Sequence, residues 1–208
     1  MTLNIKDTVE KIRTAIDDVK GTLDDDFASD VDAELAQALR HSVESLLMEL
    51  PPLLVIPSVC KPTSPTPAWS RGQGTMGDGW IVLPDDFLRF LDMKVSGWKG
   101  TLYELIDAGS DEEKRQRSKW SRGTDTKPKA MLDTDASGQR IVRYWPGSEG
   151  KELEHLSYVP TWNEANGKIT CALRAETEKN IIYRAASIFL EGKKEHDAAE
   201  HFKTLSTL

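Results

Sequence analysis

Cysteine is scarce in this 208-residue chain: Cys60 and Cys171 are the only two. They lie far apart and match no metal-ligand spacing, which excludes a zinc module and a dense disulfide framework. A pair of reduced thiols is the simpler expectation than a bridge. Long apolar runs are also missing. None approaches the roughly 18 residues of a membrane span, and residues 1–7 hold no apolar signal core, so a chain made in the cytoplasm with no membrane partner is expected. Positive charge is in deficit, with 27 Lys and Arg against 34 Asp and Glu and a net charge of -7. General affinity for nucleic acid or anionic lipid is therefore not expected.

Catalytic patterns are lacking as well. No phosphate loop, dinucleotide fingerprint or nucleophile elbow occurs. The four histidines are His41, His155, His196 and His201. His196 and Glu200 share a helix face, but His201 points elsewhere. Asp24-Asp25-Asp26 reads as an acidic turn, because three consecutive carboxylates cannot converge on one ion from a helix. Asp85-Asp86 and Glu112-Glu113 suit helix starts, where carboxylates complement the dipole. No catalytic residue, cofactor or metal ligand is expected.

What the chain does have is periodicity. Ile5, Val9, Ile12, Ile16 and Val19 alternate steps of four and three, which predicts a helix over 5–20 with Gly21 beyond its end. The stripe suits packing within the subunit or against a neighbour. Ser29 or Asp30 caps a second predicted helix, whose broad apolar face runs from Val31 to Leu50 until Pro51-Pro52 stops it. Residues 1–50 hold twelve acidic and five basic residues, 5 − 12 = −7, so the acidity of the whole chain sits on this helical hairpin. Residues 57–79 are rich in Pro and Gly and read as an extended arm. Trp69 and Arg71 lie in it; Trp69 either anchors the arm on another surface or folds back on its own core.

Strand signals then recur about every ten residues over 80–166: at 80–83, 91–95, 127–132, 140–146 and 153–159. Pro84 and the two aspartates after it predict a tight helical corner before the next strand. An element is also expected over 98–106, and Ser110 to Glu113 predicts a capping box opening a short polar helix. Pro160 and Gly167 bracket a polar turn holding Trp162. A long helix is predicted from about 169 to 191, ended by Gly192, and a last one over 193–205. The expected fold is α+β: a helical bundle of two N-terminal and two C-terminal helices (1–56 and 167–208), carrying an inserted antiparallel sandwich or barrel-like domain (80–166).

One cluster has binding character. Lys114, Arg115, Arg117, Lys119 and Arg122 surround Trp120. Cations interleaved with an aromatic suit nucleic acid, or an acidic partner such as the hairpin of a neighbouring copy, which uses charge already present in this chain. The latter is preferred.

The run Gly79-Trp80-Ile81-Val82-Leu83-Pro84-Asp85-Asp86-Phe87-Leu88-Arg89-Phe90 resembles structural proteins of tailed bacteriophages, especially crAss-like and other phages of Bacteroidetes. Gln116-Arg117-Ser118-Lys119-Trp120-Ser121-Arg122-Gly123-Thr124, Lys127-Pro128-Lys129-Ala130 and Tyr158-Val159-Pro160 are similar too. The order of helices, β domain and helices resembles head-to-tail adaptor proteins. That resemblance implies a ring of copies, commonly twelve, in the virion between the portal and the tail rings, lining a channel through which DNA passes ungripped. It also implies that the C-terminal segment, with Phe202, Leu205 and Leu208, docks on the portal. A tail-completion or stopper protein and a nucleic-acid-binding module are the alternatives.

Overall fold

The computed structural model describes residues 1–20, 28–60, 68–70, 77–118 and 120–207. In chain order its elements are β1 (Thr2–Asn4), α1 (Ile5–Lys20), α2 (Ala28–Glu49), β2 (Ser58–Cys60), β3 (Ala68–Ser70), β4 (Gly77–Val82), β5 (Phe87–Val95) and α3 (Asp111–Gln116). There follow β6 (Lys129–Thr134), β7 (Arg140–Gly147), β8 (Leu153–Pro160), β9 (Asn163–Ala165), β10 (Lys168–Thr170), α4 (Glu178–Gly192) and α5 (His196–Ser206). The fold is mixed helix and sheet, with three small antiparallel sheets and, among the described residues, no closed barrel. The chain divides into two compact units, Met1–Ile56 with Pro160–Leu208, and Pro57–Val159. Among the described residues no helix is long and apolar enough to cross a membrane.

In the first unit, Asn4 starts α1 by accepting the Lys6 N–H at 3.0 Å, as an N-cap side chain does. Val9, Ile12 and Ile16 of the predicted stripe are buried, whereas Val19 is exposed. Helix α4 packs against α1, α2 and α5. It presents Ile181, Ala185, Ala186, Phe189 and Leu190 as buried residues, and α2 presents Leu35, Leu39, Val43 and Leu47. Buried polar bonds fix the helices in register. The Ser42 hydroxyl donates to the Ile181 carbonyl at 2.8 Å, and that of Ser187 to the Ala199 carbonyl at 2.9 Å.

The long helix expected from residue 169 begins only at Glu178. Ile169 instead lies in β10, opposite Leu3 of β1 and Glu164 of β9. Asn166 and Gly167 both adopt positive φ, 52° and 71°, which two-residue hairpin turns require. Arg40 of α2 clasps this hairpin with two hydrogen bonds to the Glu164 carboxylate, 2.8 and 3.0 Å long, which lower the carboxyl's pKa.

In the second unit the sheet orders are β2-β8-β5 and β3-β4-β7-β6. Both contribute to one apolar core holding Ile81, Phe87, Met93, Val142, Tyr144 and Leu156. Segment 57–79, read as an arm, supplies β2, paired with β8, and β3, paired with β4; residues 61–67 and 71–76 lie outside the described ones. The corner after Pro84 is a turn rather than a helix: the Phe87 N–H reaches the Pro84 carbonyl at 3.0 Å, and β5 starts at once. Turn position i+1 and i+2 suits the two aspartates as well as a helix start does, and Phe87, 1% exposed, is drawn into the core. Residues 98–106 form no regular element beyond the Met93–Leu102 bridge, yet Trp98, Leu102 and Ile106 are buried.

Tyr144 sits at the centre of this unit. Its ring covers Gly79, its cross-strand partner, where a Cβ would collide with it, and it meets Trp98 edge-on at 5.6 Å. Burial pushes the phenol from 10.0 up to about 12. A raised pKa means that the unfolded chain loses this proton first as pH rises. The contribution is therefore whole below pH 10 and is lost between 10 and about 12. Urea unfolding across that range should show stability falling more steeply for the wild type than for Tyr144→Phe, which lacks the phenol.

Candidate functional site

The basic cluster sits at the end of α3. Ser110 accepts the Glu113 N–H at 3.2 Å, and the Glu113 carboxylate accepts the Gly109 N–H at 2.7 Å, so the capping box forms with its return bond shifted by one residue. At the other end of the helix Gln116 is buried. Its Nε2 donates to the Glu112 carbonyl at 2.9 Å, and its Oε1 accepts the Gly123 N–H at 2.7 Å. That single amide closes the loop between them. Within the loop, the Ser121 hydroxyl donates to the Arg115 carbonyl at 2.9 Å, and the Arg122 N–H to the Ser118 carbonyl at 3.2 Å. Position 123 has to be glycine, because a Cβ would fall 2.7 Å from the Trp145 carbonyl oxygen and 2.9 Å from the Lys129 nitrogen.

This bracing leaves Trp120 90% exposed. Arg115 and Arg117 are exposed beside it and Arg122 is half-buried. Much of the positive charge is answered locally. Lys114 lies 2.8 Å from Asp111, Arg117 lies 3.5 Å from Glu113, and Lys129 pairs with Glu112. A cleft of about 440 Å³ adjoins the loop, where Arg117, Arg122 and Arg143 share the lining with Asp78, Glu113 and Asp133. Arg143 is held by Asp78 at 3.0 Å and Asp133 at 2.8 Å. Three cations among three anions leave no surplus for a phosphate, whose binding needs a net cationic footprint. The loop offers an apolar ring with a modest excess of positive charge around it, a combination suited to a protein surface.

Of the other residues singled out above, Trp69 lies in β3 with its backbone opposite Gly79. Arg71, Lys119 and Leu208 lie outside the described residues. Trp162 is half-buried just ahead of β9. Phe202 does not face outward: it is 1% exposed, its ring 6.0 Å from that of Tyr183, and it holds α5 onto α4. Leu205, on the same helix, is 46% exposed. Thus, among the described residues of the second unit, Arg115, Arg117, Trp120 and Arg122 come together. Sequence reasoning missed Leu53 and Tyr103, 77% and 70% exposed. It also missed a groove of about 740 Å³ between α1 and α2 in the first unit. The small residues Ala33 and Ala36, beside the buried Leu face of α2, were its signal in the sequence.

Among the described residues no three His, Cys, Asp or Glu side chains lie so as to hold a metal ion. No protein-family model matches the chain, and no curated protein matches it.

Gln116→Ala would leave the buried Gly123 N–H without its acceptor, a cost of about 1–3 kcal/mol, whereas Trp120→Ala should change stability by no more than about 0.5 kcal/mol. Urea unfolding, with hydrogen exchange at Gly123, checks both.

Proposed function

We propose that this chain is a structural component of a tailed-bacteriophage virion, a connector whose copies form a ring between the portal and the tail and let DNA pass through. It works by contact and not by catalysis. The finer architecture proposed with it is a helical bundle carrying an antiparallel, sandwich-like insertion. The observation that carries this reading is the braced loop. A large aromatic 90% exposed on a loop closed by a buried glutamine and an obligate glycine is offered to a partner surface. Gln116, Trp120 and Gly123 all belong to a run by which the chain resembles phage structural proteins. The braced loop thus falls within the run 116–124 that carries part of the resemblance. The acidity of the N-terminal hairpin suits a channel wall, since a surface that repels phosphate lets a duplex slide.

The reading is tested by co-expressing the chain with the portal protein of the same phage and measuring native mass. A multi-copy complex that comigrates with the portal is the expected result. A lone monomer beside an intact portal would contradict it, and a different copy number or axial position by electron microscopy would favour a tail-completion or stopper protein.

A further inference from the structure

We propose that Asn166 is a site of spontaneous chemical modification: the Gly167 nitrogen attacks its carboxamide and converts it to a carboxylate, at a rate restrained by the ion pair between Arg40 and Glu164.

Asn166 and Gly167 are the two turn residues between β9 and β10, closed by the facing pair Ala165 and Lys168. Both are exposed. The Gly167 carbonyl accepts the Ile5 N–H at 3.0 Å. Among the described residues, neither the Gly167 N–H nor the Asn166 carboxamide is held by a hydrogen bond. Both reacting groups are thus uncommitted. Glycine carries no Cβ to shield its nitrogen, and even an added Cβ would meet nothing within 4 Å there. The other asparagines differ. Asn4 accepts the Lys6 N–H at 3.0 Å and precedes Ile5. Asn180 is buried, donates to the Ser206 carbonyl at 3.0 Å and precedes Ile181. Asn163 lies within β9 and precedes Glu164. In each of these the following side chain crowds the nitrogen that would attack.

The chemistry needs only water. As hydroxide takes the Gly167 N–H proton, the nitrogen bonds to Asn166 Cγ. The Cγ–Nδ2 bond then breaks, and ammonia leaves with a proton from water, which restores the hydroxide and closes a cyclic imide. Water opens the imide at either carbonyl. Cleavage of the new Cγ–N bond gives aspartate. Cleavage of the original peptide bond gives isoaspartate, whose main chain runs through the side-chain carbon.

The hairpin controls the rate. Its left-handed backbone, φ 52° at Asn166 and 71° at Gly167, is not that of a planar imide, so ring closure waits on local opening. Strand β9 is an edge strand with all three residues exposed, and such strands open without global unfolding. Arg40 of α2 restrains it through the two bonds to Glu164. An exposed pair of this kind alters the open population by about two- to fivefold. The product in turn loosens the turn. Isoaspartate lengthens the backbone of a two-residue hairpin and draws the Gly167 carbonyl away from Ile5, at the start of α1.

The test is incubation of the purified full chain at neutral and mildly alkaline pH, followed by peptide mass mapping with fragment sequencing. The interval is one over which the urea-unfolded chain converts at Asn166. Conversion of Asn166 to both products is expected in the folded chain, faster at the higher pH, with Asn4, Asn163 and Asn180 unchanged. Arg40→Ala should speed it by about two- to fivefold. Glu164→Gln breaks the same pair from the other side and should match it, which keeps the test open if circular dichroism shows that Arg40→Ala does not fold. An Asn166 that stays intact in the folded chain overturns the proposal, as does equal conversion at Asn4 or Asn163. Rates unchanged in the folded pair variants overturn the restraint assigned to Arg40.

Discussion

The pairing of chain segments on either side of the insertion is the constraint on which the first unit depends. Strand β1 finds its partner 166 residues further on, Leu3 opposite Ile169. Val55 bridges to Leu173, the Ile56 N–H reaches the Ala172 carbonyl at 2.6 Å, and the Arg174 N–H reaches that of Leu54 at 3.1 Å. Closing a loop of on the order of a hundred residues costs about 4 kcal/mol. Full burial of a single Leu, Ile or Phe returns about 1.5–3 kcal/mol. The faces of α2 and α4 therefore outweigh the closure several times over, and the strands need only specify where the chain leaves and returns.

The tryptophans of the second unit show how position, not residue type, assigns a role. Trp98 follows Gly97, whose φ of 83° turns the chain back so that the indole lies against Tyr144. Trp145 is buried with Ile106 and Met131 beneath the polar cleft. Trp120 has the same side chain and remains in water, because the loop that bears it is closed beneath it by Gln116 and seated on Gly123. The bracing costs the protein a buried amide with both its ends satisfied, which is tolerated because every bond is made.

Much of this was legible in the chain as written. Helix α1 runs over the residues that its alternating steps of three and four predict, α4 ends at Gly192, and Ser110 caps α3. These are local signals, decided within one or two turns of chain. The errors share a cause as well. Ile169 sits in an apolar pattern that suits a helix or a strand, and Leu3, far away in sequence, made it a strand. The Asn166-Gly167 pair was the available clue. Phe202 and Leu205 lie three apart near the end of the chain and look alike as docking residues, but Tyr183 covers one and not the other. Segment 57–79 is rich in breakers, yet β8 and β4 draw parts of it into sheets. The loop at 114–122 was visible as a cluster of cations around an aromatic. That Asp111 and Glu113 of α3 would answer two of those cations, and that a glutamine would hold the loop, depends on side-chain directions that spacing alone does not reveal.

The split first unit also has a consequence for biosynthesis. On a ribosome α1 and α2 emerge before the insertion, but α4, which covers the apolar face of α2, is made only after it. The second unit, continuous from Pro57 to Val159, has all its strands in hand well before that. The nascent chain thus carries a finished β lobe and an uncovered pair of helices at the same time, and greasy helical surface waiting for its lid invites association with other chains or capture by chaperones. Completion of α4 ends that interval, so the moment at which α4 is made sets when the apolar face of α2 stops being a hazard.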